Sequence, residues 1–330
     1  GLIRQGAVDE AAPHTQELDV ERSSLIDPLI PRLTEALTKA KRADEAAQWA
    51  FAHVHAGSEM RGSCTLGVAQ YRQLKSPTIG LHRIKELLTR TLSVRTRRAL
   101  TFLAATLEVD AGNRDAAVRR LRRLWWETSA KEVRRTAAGQ LKPLGAAPTK
   151  IEELAEIAFE TRSKDAKSVR RRLKRTLRKT RRKVTKRLII WARALVAGLD
   201  HAKRKESESV VATYTRRLRG TPAEPWALVG HALALRRLNR DVEAAQVYSD
   251  MAARFQDHPL TAYARVEAAG LYLAKGYPTE ADALYRQTLT LAQHGDAERE
   301  ALWQVGFRAV LRGEDAKAIP LFQRLIVGYG

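Results

Sequence analysis

The stretch 226–250 reads WALVGHALALRRLNRDVEAAQVYSD, 263–287 reads YARVEAAGLYLAKGYPTEADALYRQ and 300–324 reads EALWQVGFRAVLRGEDAKAIPLFQR. A shift of 37 residues superposes them. Ala232, Ala269 and Gly306 coincide, as do Ala244, Ala281 and Ala318, and Tyr248, Tyr285 and Phe322. The turn position holds Asn239, Gly276 and Gly313, followed two residues on by Asp241, Pro278 and Asp315. A small residue lets two helices approach closely, and a residue tolerant of positive φ ends the first of them. Asp or Pro then opens the second. That helix carries a small residue and, four residues later on the same face, an aromatic knob. The pattern predicts a helix–turn–helix hairpin recurring every 37 residues.

Earlier copies extend the array. Ala105, Gly112, Ala117 and Leu121 fill the small, turn, small and large positions, with Asn113-Arg114-Asp115 as the turn. A weaker copy has Ala43-Asp44-Glu45-Ala46-Ala47 ahead of Trp49. Between 151 and 219 the turn glycines are missing, and Asp165 and Gly198-Leu199-Asp200 are the expected breaks. The reading is all-α: a solenoid, or superhelix, of helical hairpins over 31–330. Its clearest repeats lie at 226–330, and residues 1–30 form an N-terminal segment, part of it expected to be disordered.

Composition agrees. With 44% hydrophobic and 29% charged residues in 330, the chain is globular, and 11 Pro and 19 Gly are too few for a turn-rich β fold. One cysteine, Cys64, excludes a disulfide framework and a cysteine zinc site, and its default is a buried neutral thiol. The strongest apolar run, Leu188-Ile189-Ile190-Trp191-Ala192, ends at Arg193, far short of the roughly 20 residues a membrane span needs. No charged-then-apolar leader is visible at Gly1, so a removed signal and a fragment are both open.

The small, small and aromatic positions resemble the tetratricopeptide repeat family. The usual period there is 34 residues, and the family's Trp position is filled in one copy only, by Trp303. Two stretches resemble a narrower family, the soluble lytic murein transglycosylases. One is Arg122-Arg123-Leu124-Trp125-Trp126-Glu127-Thr128-Ser129, with Ala137-Ala138-Gly139-Gln140-Leu141 and Leu144-Gly145 after it. The other runs from Ala301 through Trp303 and Phe307 to Gly313-Glu314-Asp315-Ala316-Lys317-Ala318 and Phe322. This resemblance implies the non-catalytic superhelical arm of a periplasmic, peptidoglycan-cleaving enzyme. Its lysozyme-like domain would follow the chain, and the last helix, with Ile319, Leu321, Phe322, Leu325, Ile326 and Val327, has no polar cap of its own. The family's catalytic Glu-Ser and Gly-Leu-Met-Gln motifs do not transfer. Met60 follows Glu59 and Met251 follows Asp250, and Glu206-Ser207-Glu208-Ser209 lies in a polar stretch.

The second feature is charge. Lys plus Arg is 59 and Asp plus Glu 37, a net +22. Residues 162–187 hold 15 of those cations and one acid, Asp165, and so +14 of the total. Val169, Leu173, Leu177, Val184 and Leu188 recur at helical spacing, which predicts an amphipathic segment with a buried stripe. The candidate anion-binding residues are Arg170, Arg171, Arg172, Lys174, Arg175, Arg178, Lys179, Arg181, Arg182 and Lys183. They fit a nucleic-acid backbone, although no aromatic residue is present to stack on bases. They also fit an anionic envelope polymer, an acidic protein, or a solvated face whose side-chain stems cover apolar surface.

Other chemistry is sparse. His53 and His55, two apart, do not share a helix face, and His14, His82, His201, His231, His258 and His294 are scattered, so no metal site is expected. No phosphate loop, zincin, dinucleotide or nucleophile-elbow motif occurs. The acid pairs Glu152-Glu153 and Asp44-Glu45 fit exposed faces or first helical turns, and Trp226, Tyr248, Tyr272 and Tyr285 fit a packing seam. No catalytic residue and no cofactor are assigned. Three functions remain: the transglycosylase arm bound to peptidoglycan, a free-standing scaffold for a protein partner, and a nucleic-acid-associated repeat protein.

Overall fold

The computed structural model describes residues 26–52, 67–72, 75–89, 92–128, 130–161, 163–291 and 295–329. Cys64, His14, His53, His55 and His294 lie outside these, as does most of segment 1–30. Among the described residues every regular element is a helix. The chain is an all-α solenoid of helical hairpins, and it falls into two compact units, 1–140 with 313–330, and 141–312.

The first unit holds α1 (Ile26–Lys39), α2 (Ala43–Ala52), α3 (Pro77–Leu88), α4 (Val94–Asp110), α5 (Arg114–Glu127), α6 (Lys131–Leu141) and α16 (Asp315–Tyr329). Residues 67–72 are also helical. Helix α1 begins inside the N-terminal segment set apart above. The weak first repeat is real: Ala46 and Ala47 are fully buried, and the turn before them uses Lys41 at φ 62° in place of a glycine. Phe51, Tyr71, Ile84, Leu100 and Leu107 form the core, with the Phe51 and Tyr71 rings stacked at 5.9 Å. In the α4–α5 hairpin Ala105, Ala117 and Leu121 are buried as expected, and Gly112 takes φ 79° at the turn. The buried Glu108 carboxylate accepts from Arg120 Nε at 3.0 Å and Nη2 at 2.6 Å, tying the two helices together.

The second unit holds α7 (Lys150–Glu160), α8 (Ala166–Lys179), α9 (Lys183–Ala197), α10 (Arg204–Arg217), α11 (Glu224–Arg237), α12 (Asp241–Arg254), α13 (Thr261–Ala274), α14 (Pro278–Leu291) and α15 (Asp296–Leu311). From α8 to α15 each helix packs on the next, and α9 on α11 and α13 on α15 as well, which is the contact pattern of stacked hairpins. Ala232, Ala244, Tyr248, Ala269, Ala281 and Tyr285 are all buried. Asn239 and Gly276 take φ 59° and 83° at the expected turns. Trp226 is buried too, so these aromatics form the seam.

Three details differ from the sequence reading. In the last copy Gly306 and Ala318 are buried but Phe322 is only part-buried, and Ile319 and Ile326 on α16 stay exposed. Glu152 lies in the first turn of its helix, as one of the two expected placements had it, but it is buried, and its carboxylate accepts from the Thr149 N–H at 2.7 Å in a capping box. Finally, the stripe from Val169 to Leu188 is not one helix. The chain is extended at Thr180 (ψ 129°) and Arg182 (ψ 123°), between α8 and α9. At this end of α8 the Thr180 hydroxyl donates to the Thr176 carbonyl at 2.8 Å, satisfying one of the last-turn carbonyls. The stripe survives the bend, because Leu173 and Leu188 enter one core with Val169, Leu177 and Val184 packed against it.

Candidate functional site

Two surfaces of the second unit carry chemistry. The first is the cationic face of α8 and the start of α9. Because Leu173 is buried and Val169 and Leu177 lie on the same side, the opposite side of α8 faces out. Arg171, Arg172, Lys174, Arg175, Arg178 and Lys179 are exposed on it, and Arg181, Arg182 and Lys183 are exposed at the bend. Among the described residues none of these nine has a carboxylate within ion-pair reach. Arg170 is part-buried, and its charge acts on Asp200, whose carboxyl is held below the usual range first by its hydrogen bond to Lys203. Arg187 turns back and donates to the Arg217 carbonyl at 2.8 Å. The sequence-predicted cations are therefore brought together on one face, apart from these two edge arginines.

The second surface, at α14 and α15, was not read as a site from sequence. Asp282 sits among three guanidinium groups: Arg308 at 3.2 Å, Arg286 at 3.3 Å and Arg312 at 3.7 Å. Arg308 also donates to the Pro278 carbonyl at 2.9 Å. Among the residues that line this part of the surface, three are arginines and one, Asp282, is acidic. These groups, with Thr279, Ala283 and Leu311, line an open cleft of about 630 Å³. Leu311 continues into an apolar stripe, with Trp303 48%, Phe307 43% and Leu311 69% exposed. The Trp303 and Phe307 rings stack at 5.7 Å and 8°. The i, i+4, i+8 spacing was visible in the sequence, but that spacing serves a buried seam equally well.

Elsewhere the polar groups are structural. The Ser207 hydroxyl donates to the Ala194 carbonyl at 2.6 Å, and Glu208 faces His231 at 3.3 Å. Burial lowers the His231 pKa against the opposing pull of Glu208. Glu267, pushed up by burial, pairs with Arg236 between α13 and α11. No cluster of His, Cys, Asp and Glu among the described residues could hold a metal ion, and no described helix is long and apolar enough to cross a membrane.

No protein-family model matches this chain, and no curated protein does. Among solved structures the chain is similar to the APC/C hetero-tetramer Cut9-Hcn1, at 13% identity over 99% of this chain and 70% of that one, with a TM-score of 0.30.

Proposed function

We propose that this chain is a non-catalytic helical-repeat scaffold that holds a protein partner against α14 and α15. The observation that carries the reading is the exposed Trp303–Phe307 stack running into Leu311 and the arginine-lined cleft. Aromatic side chains and arginine are the residue types enriched where proteins bind one another: the rings desolvate large areas with few rotatable bonds, and the guanidinium fork pairs with carboxylates two bonds at a time. The partner that fits is a segment with apolar anchors flanked by carboxylates, which Arg286 and Arg308 beside the single Asp282 carboxylate attract. A photo-crosslinking amino acid at Phe307, in cells that make the protein, is expected to trap a discrete protein adduct. Leu311→Asp should remove that adduct, by setting a carboxylate in the apolar stripe. An adduct pattern identical to that from the exposed Lys142 position, which belongs to neither α14 nor α15, would sink the reading.

A second reading keeps the superhelical arm of a periplasmic lytic transglycosylase. It is supported by the likeness of 122–145 and 301–322 to that family, and by the exposed aromatic residues Trp303 and Phe307, a residue type that suits packing against sugar rings. It predicts that the protein sediments with purified peptidoglycan sacculi and that Trp303→Ala with Phe307→Ala leaves it in the supernatant. Failure of the unaltered protein to sediment removes this reading.

A further inference from the structure

We infer that the cationic face of α8 and α9 binds the phosphodiester backbone of double-stranded nucleic acid without reading its sequence. This face is separate from the α14–α15 stripe, and the inference stands whether or not a protein docks there. Lys167, Arg171, Lys174, Arg175 and Arg178 point away from the buried Leu173. At about 1.5 Å of rise per residue they span roughly 16 Å of helix. Among the described residues no carboxylate neutralises them, so cations at i, i+3 and i+4 repel one another. A dense polyanion laid along the helix relieves that repulsion.

The remaining ligand classes fit less well. An interfacial membrane helix must offer an apolar face to the bilayer, and the apolar stripe of α8 is already spent in the core of its own unit. A protein partner needs an apolar or aromatic anchor, and the outward side of α8 has none: between its cations lies only Ser168, whose hydroxyl donates to the Asp165 carbonyl at 2.9 Å. The same lack removes base stacking, and with it a preference for single strands. Charge alone is left. Arginine forks pair with phosphate oxygens two at a time, and a duplex supplies about one phosphate charge per 1.7 Å of its axis.

The test is fluorescence anisotropy with a short labelled duplex, the full chain, and salt varied between about 50 and 200 mM. With five phosphates neutralised, the log–log slope of affinity against salt should be about −4.5. The triple variant Arg171→Gln, Arg175→Gln, Arg178→Gln should bring it to about −2, since each contact contributes about 0.9. Lys131→Gln, Lys142→Gln, Arg216→Gln removes the same charge from exposed positions elsewhere and should leave the slope nearly unchanged. Circular dichroism checks that both variants stay helical, and Arg171→Lys, Arg175→Lys, Arg178→Lys should keep the slope. Equal losses in the face and control variants would overturn the inference, because overall charge would then explain the binding. So would tighter binding to a single strand of the same length. Binding to phosphatidylserine vesicles that the face variant abolishes, with no duplex binding, would assign the face to a membrane instead.

Discussion

Trp191→Ala is expected to destabilise the 141–312 unit by about 4 kcal/mol, read as a lower urea midpoint by circular dichroism. Trp191 on α9 is wholly buried. Its ring meets Phe159 of α7 edge-on at 5.9 Å and lies against α11 at Gly230. Truncation opens a cavity that three helices would have to close. The reverse change costs as well. A methyl group at Gly230 would stand 2.1 Å from Trp191 Cζ2 and 3.0 Å from Leu195 Cδ2. Gly230→Ala is therefore expected to cost about 2 kcal/mol through overpacking, despite the roughly 1 kcal/mol that alanine gains over glycine inside a helix. With the indole gone only Leu195 Cδ2, the far end of a flexible side chain, still has to give, and it can move into the space the indole left, so Gly230→Ala should be neutral or stabilising in the Trp191→Ala background. A cost that stays the same in both backgrounds would show that the two residues do not meet as described.

Acid should weaken the same unit through His258. The imidazole packs edge-on against Trp226 at 4.4 Å, and its Nδ1 accepts from the Leu260 N–H at 3.2 Å. Burial lowers its pKa from 6.5 to about 4. A lowered histidine pKa means that the unfolded chain takes up the proton first. The stabilisation is therefore complete above pH 6.5, falls as pH drops from there towards 4, and is spent below it. Over that window the loss attributable to this residue is up to about 3 kcal/mol. His258→Asn keeps a local acceptor for the Leu260 N–H but cannot titrate there. The difference between the two stability-versus-pH curves isolates the imidazole. Parallel curves from pH 7 to pH 4 would show that His258 is not buried as a neutral base.

The hairpin array was legible because its signals are local. Asn239 and Gly276 could be placed at turns, and Ala232, Ala244 and Tyr248 on buried faces, because a helix face repeats every few residues and a positive φ favours few residue types. Gly230 was harder to interpret. Its function comes from Trp191, 39 positions earlier, and no period links the two. The Thr180 bend was hidden for a related reason: the Val169–Leu188 spacing is unbroken, and only the backbone shows that two helices share the stripe.

The surfaces divide in the same way. The sequence by itself determined that this chain is helical and repeated, and that residues 162–187 carry most of its charge with their apolar stripe turned inward. Periodicity and charge are properties of neighbours along the chain, so a sequence displays them. The packing of the helices decides the rest: that, among the described residues, none of the nine cations has a carboxylate beside it, that three arginines gather on Asp282, and that Trp303 and Phe307 face outward where Tyr248 and Tyr285 are buried. Each of those depends on which helices stack against a given face. An aromatic residue at repeat spacing becomes seam or surface according to whether a neighbouring helix covers it.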